Sequence, residues 1–252
     1  MDLIGHRHLG GKRDSEDSRD FRFTPAIEKH ALPPAVDLRH HIGSVYDQQP
    51  LQSCSANALS SLLTFVGNAE KRPIEPPSRL FIYYNERKLE GTLPKDGGAQ
   101  IRTGLKTVAT FGACSEIMWP YDVDKADAEP TPGCYKDAKS TRALQYFRIA
   151  QDLDHLRACL ADGYAFIFGM QAYLQGFEAA QHSGVLPMPA PSDTLMGGHA
   201  ILAVGYDDRM QTITALNSLG KTWGSEGYFT LPYAFVTNAS LAYDFWTIRS
   251  VS

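Results

Sequence analysis

The sequence predicts an α+β protein in which a helical lobe packs against a lobe of antiparallel strands. Helical periodicity dominates the first half of the chain, whereas short apolar runs separated by polar turns dominate the second half. With 252 residues, the chain can form one large domain or two closely packed lobes around a substantial core.

Three helices are predicted in the first half. The first covers residues 53–66, where apolar side chains recur at helical spacing. Ser78 can cap a second helix over residues 79–88, because a serine oxygen accepts from backbone amides of the first turn. Residues 101–111 repeat the apolar period and stop at Gly112, which is typical of a helix end.

The second half changes character. Helices are predicted at residues 152–162 and 174–180. The runs typical of strands are residues 164–170, 199–206, 212–217, 227–231 and 244–249. Because polar turns join neighbouring runs, an antiparallel arrangement is expected.

The chain consists of two parts that differ in composition. Residues 1–31 are polar and mixed in charge, and are expected to form an arm without a core of its own. Residues 32–252 are expected to form the folded domain, with a helical lobe over about 45–150. The β lobe is then expected to combine residues 151–252 with 32–44.

Composition excludes several classes of protein. The formal charge of −4 does not indicate a basic surface that would bind nucleic acid, and no apolar stretch is long enough to cross a membrane. The amino terminus lacks the apolar segment of a secretory signal, so a cytoplasmic location is expected unless export follows another route. The four cysteines, Cys54, Cys114, Cys134 and Cys159, show no metal-binding spacing, so neither metal nor cofactor is expected.

Cys54, His199 and Asn217 carry the chemistry that the sequence suggests. Cys54 begins a predicted helix, whose dipole favours the thiolate form that acts as a nucleophile. His199 opens one strand and Asn217 ends the next, so an imidazole and an amide that orients it would lie together. Taken singly, the three residues also fit a buried core cysteine, a core histidine and a turn asparagine.

The pattern of short motifs resembles the papain/cathepsin family of cysteine peptidases. His199 follows Cys54 by 145 positions, a separation typical of that family. Matching blocks occur in the family's order at residues 36–39, 48–56, 97–98, 119–121, 198–205 and 217–228. The resemblance implies a papain-like fold, with the active site in a cleft between the helical lobe and a β-barrel-like lobe.

The resemblance also implies roles for single residues. Cys54 would be the nucleophile, His199 its acid and base, and Asn217 the group that orients the imidazole. Gln48 would complete an oxyanion hole with the backbone of Cys54. Substrate contacts would come from Gly97 and Gly98, from a pocket of Ala200, Phe168 and Met170, and from Trp223. Gln48 and the glycine pair also fit ordinary loop and turn residues.

Some positions depart from the family pattern. Leu51 and Lys95 stand where a pair of disulfide-forming cysteines is usual, so no disulfide is expected and a reducing compartment is favoured. Leu219 replaces a tryptophan that shields the histidine, so a more loosely held imidazole is expected.

The expected function is a cysteine endopeptidase acting on peptide or protein substrates without a cofactor. Two alternatives use the same residues: thiol amidase or transglutaminase-like acyl transfer on a protein partner, and a peptide-binding module without activity. Residues 1–31 are expected to act as a short zymogen-like segment in the cleft, with Phe21, Phe23 and Ile27 as anchors and 12–20 solvated. The alternative is a tail without contacts.

Overall fold

The computed structural model describes residues 9–26 and 31–252, and shows a helical lobe beside a largely antiparallel sheet. The helices are α1 Cys54–Ala69, α2 Arg79–Glu90, α3 Ile101–Thr110, α4 Pro132–Asp137, α5 Leu153–Ala161, α6 Leu174–Ser183 and α7 Tyr233–Val236. The strands are β1 Gly11–Lys12, β2 Ala35–Asp37, β3 Ala99–Gln100, β4 Ala143–Arg148, β5 Phe166–Tyr173, β6 Leu195–Asp207, β7 Thr212–Leu216, β8 Tyr228–Pro232 and β9 Ala242–Val251. The α+β prediction is confirmed.

The capping chemistry expected for α2 is present. Ser78 accepts a hydrogen bond from the backbone N–H of Phe81 at 3.0 Å, which satisfies one donor of the first turn. The helix ends at Gly91, whose φ of 66° lies in the left-handed region that favours glycine.

Helix α1 is buried along most of its length, from Cys54 to Gly67. It is buried on nearly every side because it lies between the rest of the helical lobe and strands β6 and β9. Its N-terminus, where Cys54 stands, therefore opens at the junction of the two lobes.

The sheet holds seven strands in the order β4-β9-β5-β6-β7-β8, with β2 added beside β6, and all its pairings are antiparallel. It is an open sheet and not a closed barrel. Strand β6 carries His199, and the adjacent strand β7 ends one residue before Asn217. Pairing of Leu202 with Leu216 brings these two ends together.

The β lobe starts earlier than predicted. Strand β4 pairs with β9, so the sheet begins at Ala143 and the expected boundary at residue 150 is several residues late. Leu144 is 58% exposed, because β4 lies at the sheet edge and its apolar residues do not alternate cleanly. The short helix α4 was also not predicted.

Two main cores meet near the site. One fills the β lobe, and strand residues such as Phe168 and Ile201 point into it. The other joins α1 to the opposite face of the sheet, where Ile167 and Leu202 point. Successive residues of β5 and β6 thus serve different cores, which explains why these strands are continuous apolar runs.

The four cysteines are free and buried. Cys114 and Cys134 pack together with Phe81 in a small separate cluster under the helical lobe. Within the described ranges, the structure contains no helix with the length and apolar character needed to cross a bilayer. The same residues include no group of His, Cys, Asp or Glu arranged to hold a metal ion.

Candidate active site

Cys54 is the first residue of α1 and is fully buried. Burial raises the pKa of its thiol to about 12, and the charge of Glu86 acts in the same direction, whereas hydrogen bonds from the backbone N–H groups of Ala200 and Ser55 lower that pKa. Ala200 directly follows His199, so the contact joins the start of α1 to the strand that carries the imidazole.

His199 and Asn217 are hydrogen-bonded at 2.8 Å between Nε2 and Oδ1. The backbone N–H of Ser218 also donates to Asn217 Oδ1 at 2.8 Å, which identifies that atom as the amide oxygen. Because an oxygen accepts, His199 Nε2 must carry the proton. His199 Nδ1 has no hydrogen-bond partner among the described residues, and it is therefore the nitrogen left for proton exchange with a thiol.

Aromatic rings hold the imidazole. Phe177, on α6, meets the His199 ring edge-on with centroids 5.8 Å apart, and Trp223 packs behind Phe177 at 5.7 Å. Burial lowers the pKa of His199 to about 4, although the Asn217 hydrogen bond acts in the opposite direction. Leu219 is buried in the same core. Weak shielding of the His199 imidazole from water was expected at this position, but Phe177 packs against the ring. The sequence reasoning missed Phe177.

Gln48 is fully buried in the loop before α1. Its Oε1 accepts from the Ser218 hydroxyl at 2.7 Å, and its Nε2 donates to the Leu51 carbonyl at 3.1 Å. Its backbone N–H donates to the Ser218 carbonyl at 3.0 Å. These bonds fix the amide with its nitrogen toward the segment that leads into Cys54.

Tyr121 braces the same loop from the side. Its hydroxyl donates to the Gln48 carbonyl at 2.6 Å and lies 2.6 Å from the Ser53 hydroxyl. Arg79 stacks on the Tyr121 ring at 4.0 Å and forms a 2.7 Å ion pair with Glu116. Tyr121 was recognised only as part of a motif, because nothing in the sequence shows which loop it would reach.

A buried carboxyl group, that of Glu86, lies next to the first turn of α1. The Ser55 hydroxyl donates to Glu86 Oε2 at 2.8 Å, and Glu86 is fully buried. Burial raises the pKa of Glu86 well above its ordinary value, which favours the neutral carboxyl. An ionised Glu86 raises the pKa of the Cys54 thiol, so protonation of this carboxyl favours the thiolate.

The amino-terminal arm passes between Gln52 and His199, two residues that lie close to Cys54 and Ala200 along the chain. The Gly10 N–H donates to the Gly198 carbonyl at 3.1 Å, and the Gly10 carbonyl accepts from the Ala99 N–H at 3.1 Å. Strand β1 then runs parallel to β3. A Cβ added to Gly10 would lie 2.0 Å from the Gln52 carbonyl oxygen, and one added to Gly11 would lie 2.6 Å from the His199 backbone nitrogen. Only glycine fits this narrow passage.

Beyond the cleft, the arm is anchored by a buried polar cluster around Asp14. Asp14 accepts hydrogen bonds from the Arg102 backbone N–H at 3.0 Å and from the Trp246 indole at 2.8 Å, and Arg148 lies 3.3 Å away. Its own N–H donates to Asp244 at 2.5 Å. The expectation that residues 12–20 stay solvated is therefore wrong for Asp14, whereas Ser15, Glu16, Ser18 and Arg19 are exposed.

Of the apolar anchors expected in the arm, Phe23 is buried and Phe21 is not. Leu9 and Phe23 are each 6% exposed and join the β-lobe core, whereas Phe21 is 72% exposed. Ile27 lies outside the described residues. Phe23 is held because its N–H donates to the Arg148 carbonyl at 2.9 Å, which adds the arm to the edge of β4.

The two glycines predicted to bind substrate differ in their contacts with the arm. Gly98 has a φ of 69° and touches the arm so closely that an added Cβ would lie 1.8 Å from the Gly10 oxygen. Its N–H, however, donates to the Tyr83 hydroxyl at 3.2 Å, and Ala99 supplies the backbone bond to the arm. Gly97 makes no comparable contact with the arm.

The predicted pocket of Ala200, Phe168 and Met170 is not formed. Phe168 and Met170 point into the β-lobe core, while Ala200 packs in the other core with Cys54. Strand pairing places Gly169 of β5 opposite Ala200. Because strand side chains alternate between faces, Phe168 and Met170 on either side of Gly169 point the other way. Tyr243 covers Gly169, where an added Cβ would lie 2.2 Å from its ring. The role of Trp223 in binding substrate stays a prediction.

Comparisons with known proteins identify relatives of this chain. Residues 91–242 match the family described as papain family cysteine protease, a segment that includes His199 and Asn217 but begins after Cys54. Xylellain, a cysteine protease from Xylella fastidiosa, is 43% identical with a TM-score of 0.92, over 98% of this chain and 97% of that one.

Two further proteins are similar over most of the chain. An uncharacterized peptidase C1-like protein of Acanthamoeba polyphaga mimivirus is 36% identical over 255 residues, covering 95% of this chain and 82% of that protein. Digestive procathepsin L 3 of Tenebrio molitor is 16% identical with a TM-score of 0.70, covering 96% of this chain and 77% of that one. The second likeness concerns the fold alone.

Proposed function

Because the chain belongs to the papain family of cysteine proteases, we propose that it is an endopeptidase whose amino-terminal arm holds it inactive. The observation that carries this proposal is the Gly10-Gly11 segment, which lies between the Gln52 carbonyl and His199 and leaves Cys54 inaccessible. The proposed reaction is hydrolysis of a peptide bond through an acyl-thioester on Cys54.

In the proposed reaction, His199 Nδ1 takes the thiol proton and the thiolate attacks the peptide carbonyl. The resulting oxyanion accepts from the Cys54 backbone N–H and the Gln48 amide. When the C–N bond breaks, the imidazolium gives its proton to the leaving amine. His199 then removes a proton from water, the hydroxide attacks the thioester, and the thiol returns as the carboxylic product leaves. Asn217 keeps Nε2 protonated throughout.

The arm opposes this reaction in two ways. It occupies the space beside Gly98 and Gly198 that an extended substrate needs. It also excludes water, so that burial raises the pKa of Cys54 to about 12 and lowers that of His199 to about 4. Both shifts favour the neutral pair over thiolate and imidazolium. Displacement of the arm would rehydrate the pair and restore the nucleophile.

Gly11→Val in the full chain is expected to release the arm, since the new side chain would collide with the His199 backbone. We expect labelling of Cys54 by iodoacetamide and hydrolysis of fluorogenic peptides to rise about tenfold or more, because each 1.4 kcal/mol of lost docking shifts the equilibrium tenfold. Mass spectrometry of the labelled peptide and initial rates provide the two measurements.

Ser18→Val is the matched control, because Ser18 is an exposed residue of the same arm. It should leave labelling and hydrolysis at the level of the unmodified protein. Equal labelling of Cys54 in Gly11→Val and in the unmodified protein would show that the arm is a tail without regulatory effect. Products that incorporate an added amine in place of water would favour acyl transfer over hydrolysis.

The arm is also expected to respond to pH through Asp14. Burial and the neighbouring Asp244 raise the pKa of docked Asp14 from 3.8 to about 6, against the hydrogen bonds from Arg102 and Trp246. The docked arm therefore holds a proton that a released arm gives up. Docking is strongest below about pH 4 and weakens as the pH rises through 6, by at most about a hundredfold.

The measurement is the rate of Cys54 labelling in the unmodified protein divided by that in Gly11→Val, from pH 4.5 to 7.5. We expect this ratio to increase with pH. Asp14→Asn cannot ionise at this position, so its ratio of labelling rates should not change with pH. The charged neighbours Arg102, Arg148, Asp20 and Asp244 remain in this variant. A ratio that falls with pH, or the same slope in Asp14→Asn, would show that Asp14 does not control docking.

A further inference from the structure

Two consecutive basic residues of the arm bind opposite walls of the cleft. Lys12 reaches the helical lobe, where its Nζ lies 3.0 Å from Glu90 Oε2. The other Glu90 oxygen accepts from the Gln100 backbone N–H at 2.7 Å, so the carboxylate is held in place. Among the described residues, Lys12 is the only basic side chain within ion-pair distance of Glu90.

Arg13 reaches the β lobe. Its guanidinium lies over the Tyr243 ring, 4.4 Å from the centroid, and its Nη2 donates to the Ala239 carbonyl at 2.9 Å. Tyr243 is only 4% exposed, and its ring packs on glycines, since an added Cβ at Gly198 would lie 2.6 Å from its hydroxyl. The ring is therefore a fixed part of the cleft wall and presents its face to a cation.

The alternation has a simple cause. In an extended chain successive side chains point to opposite sides, so a chain lying between two lobes sends one residue to each lobe. Here the helical lobe offers a carboxylate, and the β lobe offers an aromatic face and a carbonyl oxygen. All three groups attract cations, and all three lose their partners when the arm leaves.

We infer that Glu90 and Tyr243 are specificity residues, and that the open cleft selects substrates with two consecutive basic residues close to the scissile bond. This inference rests on the proposed protease function and on displacement of the arm. The pair Lys12–Arg13 follows directly after the glycines that pass between Gln52 and His199, so the substrate pair would adjoin the residues at the reacting centre. The arm thus blocks the cleft with the side-chain chemistry that the cleft recognises.

The test uses the full chain carrying Gly11→Val and a set of fluorogenic peptides. A Lys-Arg pair is moved through successive positions on both sides of the bond, and each peptide is compared with one carrying Gln-Leu in the same place. For the best position we expect kcat/KM to be about five- to thirtyfold higher with the basic pair, as one half-exposed ion pair and one cation–π contact allow.

Variants assign the preference to each wall. Glu90→Gln should remove the part of the preference that comes from one of the two basic positions. Glu90→Lys should favour an acidic residue at that position. Tyr243→Leu should remove the preference for arginine at the other position, whereas Tyr243→Phe, which keeps the ring, should retain it. The ratio of kcat/KM for basic and neutral peptides is compared within each variant, so a general loss of activity does not affect it.

Equal kcat/KM for basic and neutral peptides at every position would overturn the inference and leave the protease function intact. A preference that persists unchanged in Glu90→Lys and Tyr243→Leu would also overturn it. Failure of Gly11→Val to cleave any peptide, while Cys54 is labelled normally, would overturn the proposed function as well.

Discussion

Cys54→Ala is expected to abolish peptide hydrolysis, by about six orders of magnitude in kcat when measured in the Gly11→Val background. The variant removes the sulfur that would form the acyl-thioester. His199→Ala should lose nearly as much, because the members of a catalytic unit do not contribute additively. Hydrolysis of a fluorogenic peptide and the far-ultraviolet circular dichroism spectrum would report activity and fold.

Cys159→Ala is the matched control. Cys159 is also fully buried, and burial raises its pKa to about 12 as well, but it lies on α5 away from the imidazole. We expect this variant to retain hydrolysis and labelling of Cys54. Asn217→Ala should cost less than His199→Ala, since Asn217 fixes the Nε2 proton without exchanging one. Turnover by Cys54→Ala at the rate of its parent would refute the mechanism.

Gln48→Ala is expected to lower kcat by about two to three orders of magnitude with little change in KM. An oxyanion donor acts on charge that develops only in the transition state, and loss of one such donor typically costs about 3–4 kcal/mol. Steady-state kinetics in the Gly11→Val background would separate kcat from KM.

Two comparisons test this assignment. Gln49→Ala changes the adjacent glutamine, which is half-buried, and should leave kcat close to that of its parent. Ser218→Ala removes the hydroxyl that donates to Gln48 Oε1 at 2.7 Å, so the amide can rotate and kcat should fall by about tenfold. An effect of Gln48→Ala confined to KM would show that Gln48 binds ground-state substrate or only shapes the loop.

The elements that carry the site were predictable because their signals are local. Ser78 and Gly112 mark helix ends through their own hydrogen bonding and backbone freedom, and the apolar period of residues 53–66 extends over several turns. Cys54, His199 and Asn217 were recognised because residue types at a given spacing are properties of the chain. The structure brings their elements together at the junction of the lobes.

Strand faces were harder to predict. Strand β5 is apolar at nearly every position, so its pattern cannot show which residues point toward the cleft. The sequence therefore suggested Phe168 and Met170, whereas pairing with β6 places Gly169 opposite Ala200. Tyr243 was not considered, because only the pairing of β5 with β9 brings it over that glycine.

The sequence by itself determined the fold class, the family resemblance and the catalytic residue types, since these depend on periodicity, caps and spacing along the chain. The tertiary structure alone decided where the arm lies. Residues 9–23 carry no pattern that assigns partners, yet Gly10 and Gly11 pass between Gln52 and His199, and Asp14 is buried between Arg102 and Arg148. Those contacts join residues far apart in the chain, and their strength comes from burial and charge in a space that two lobes create together.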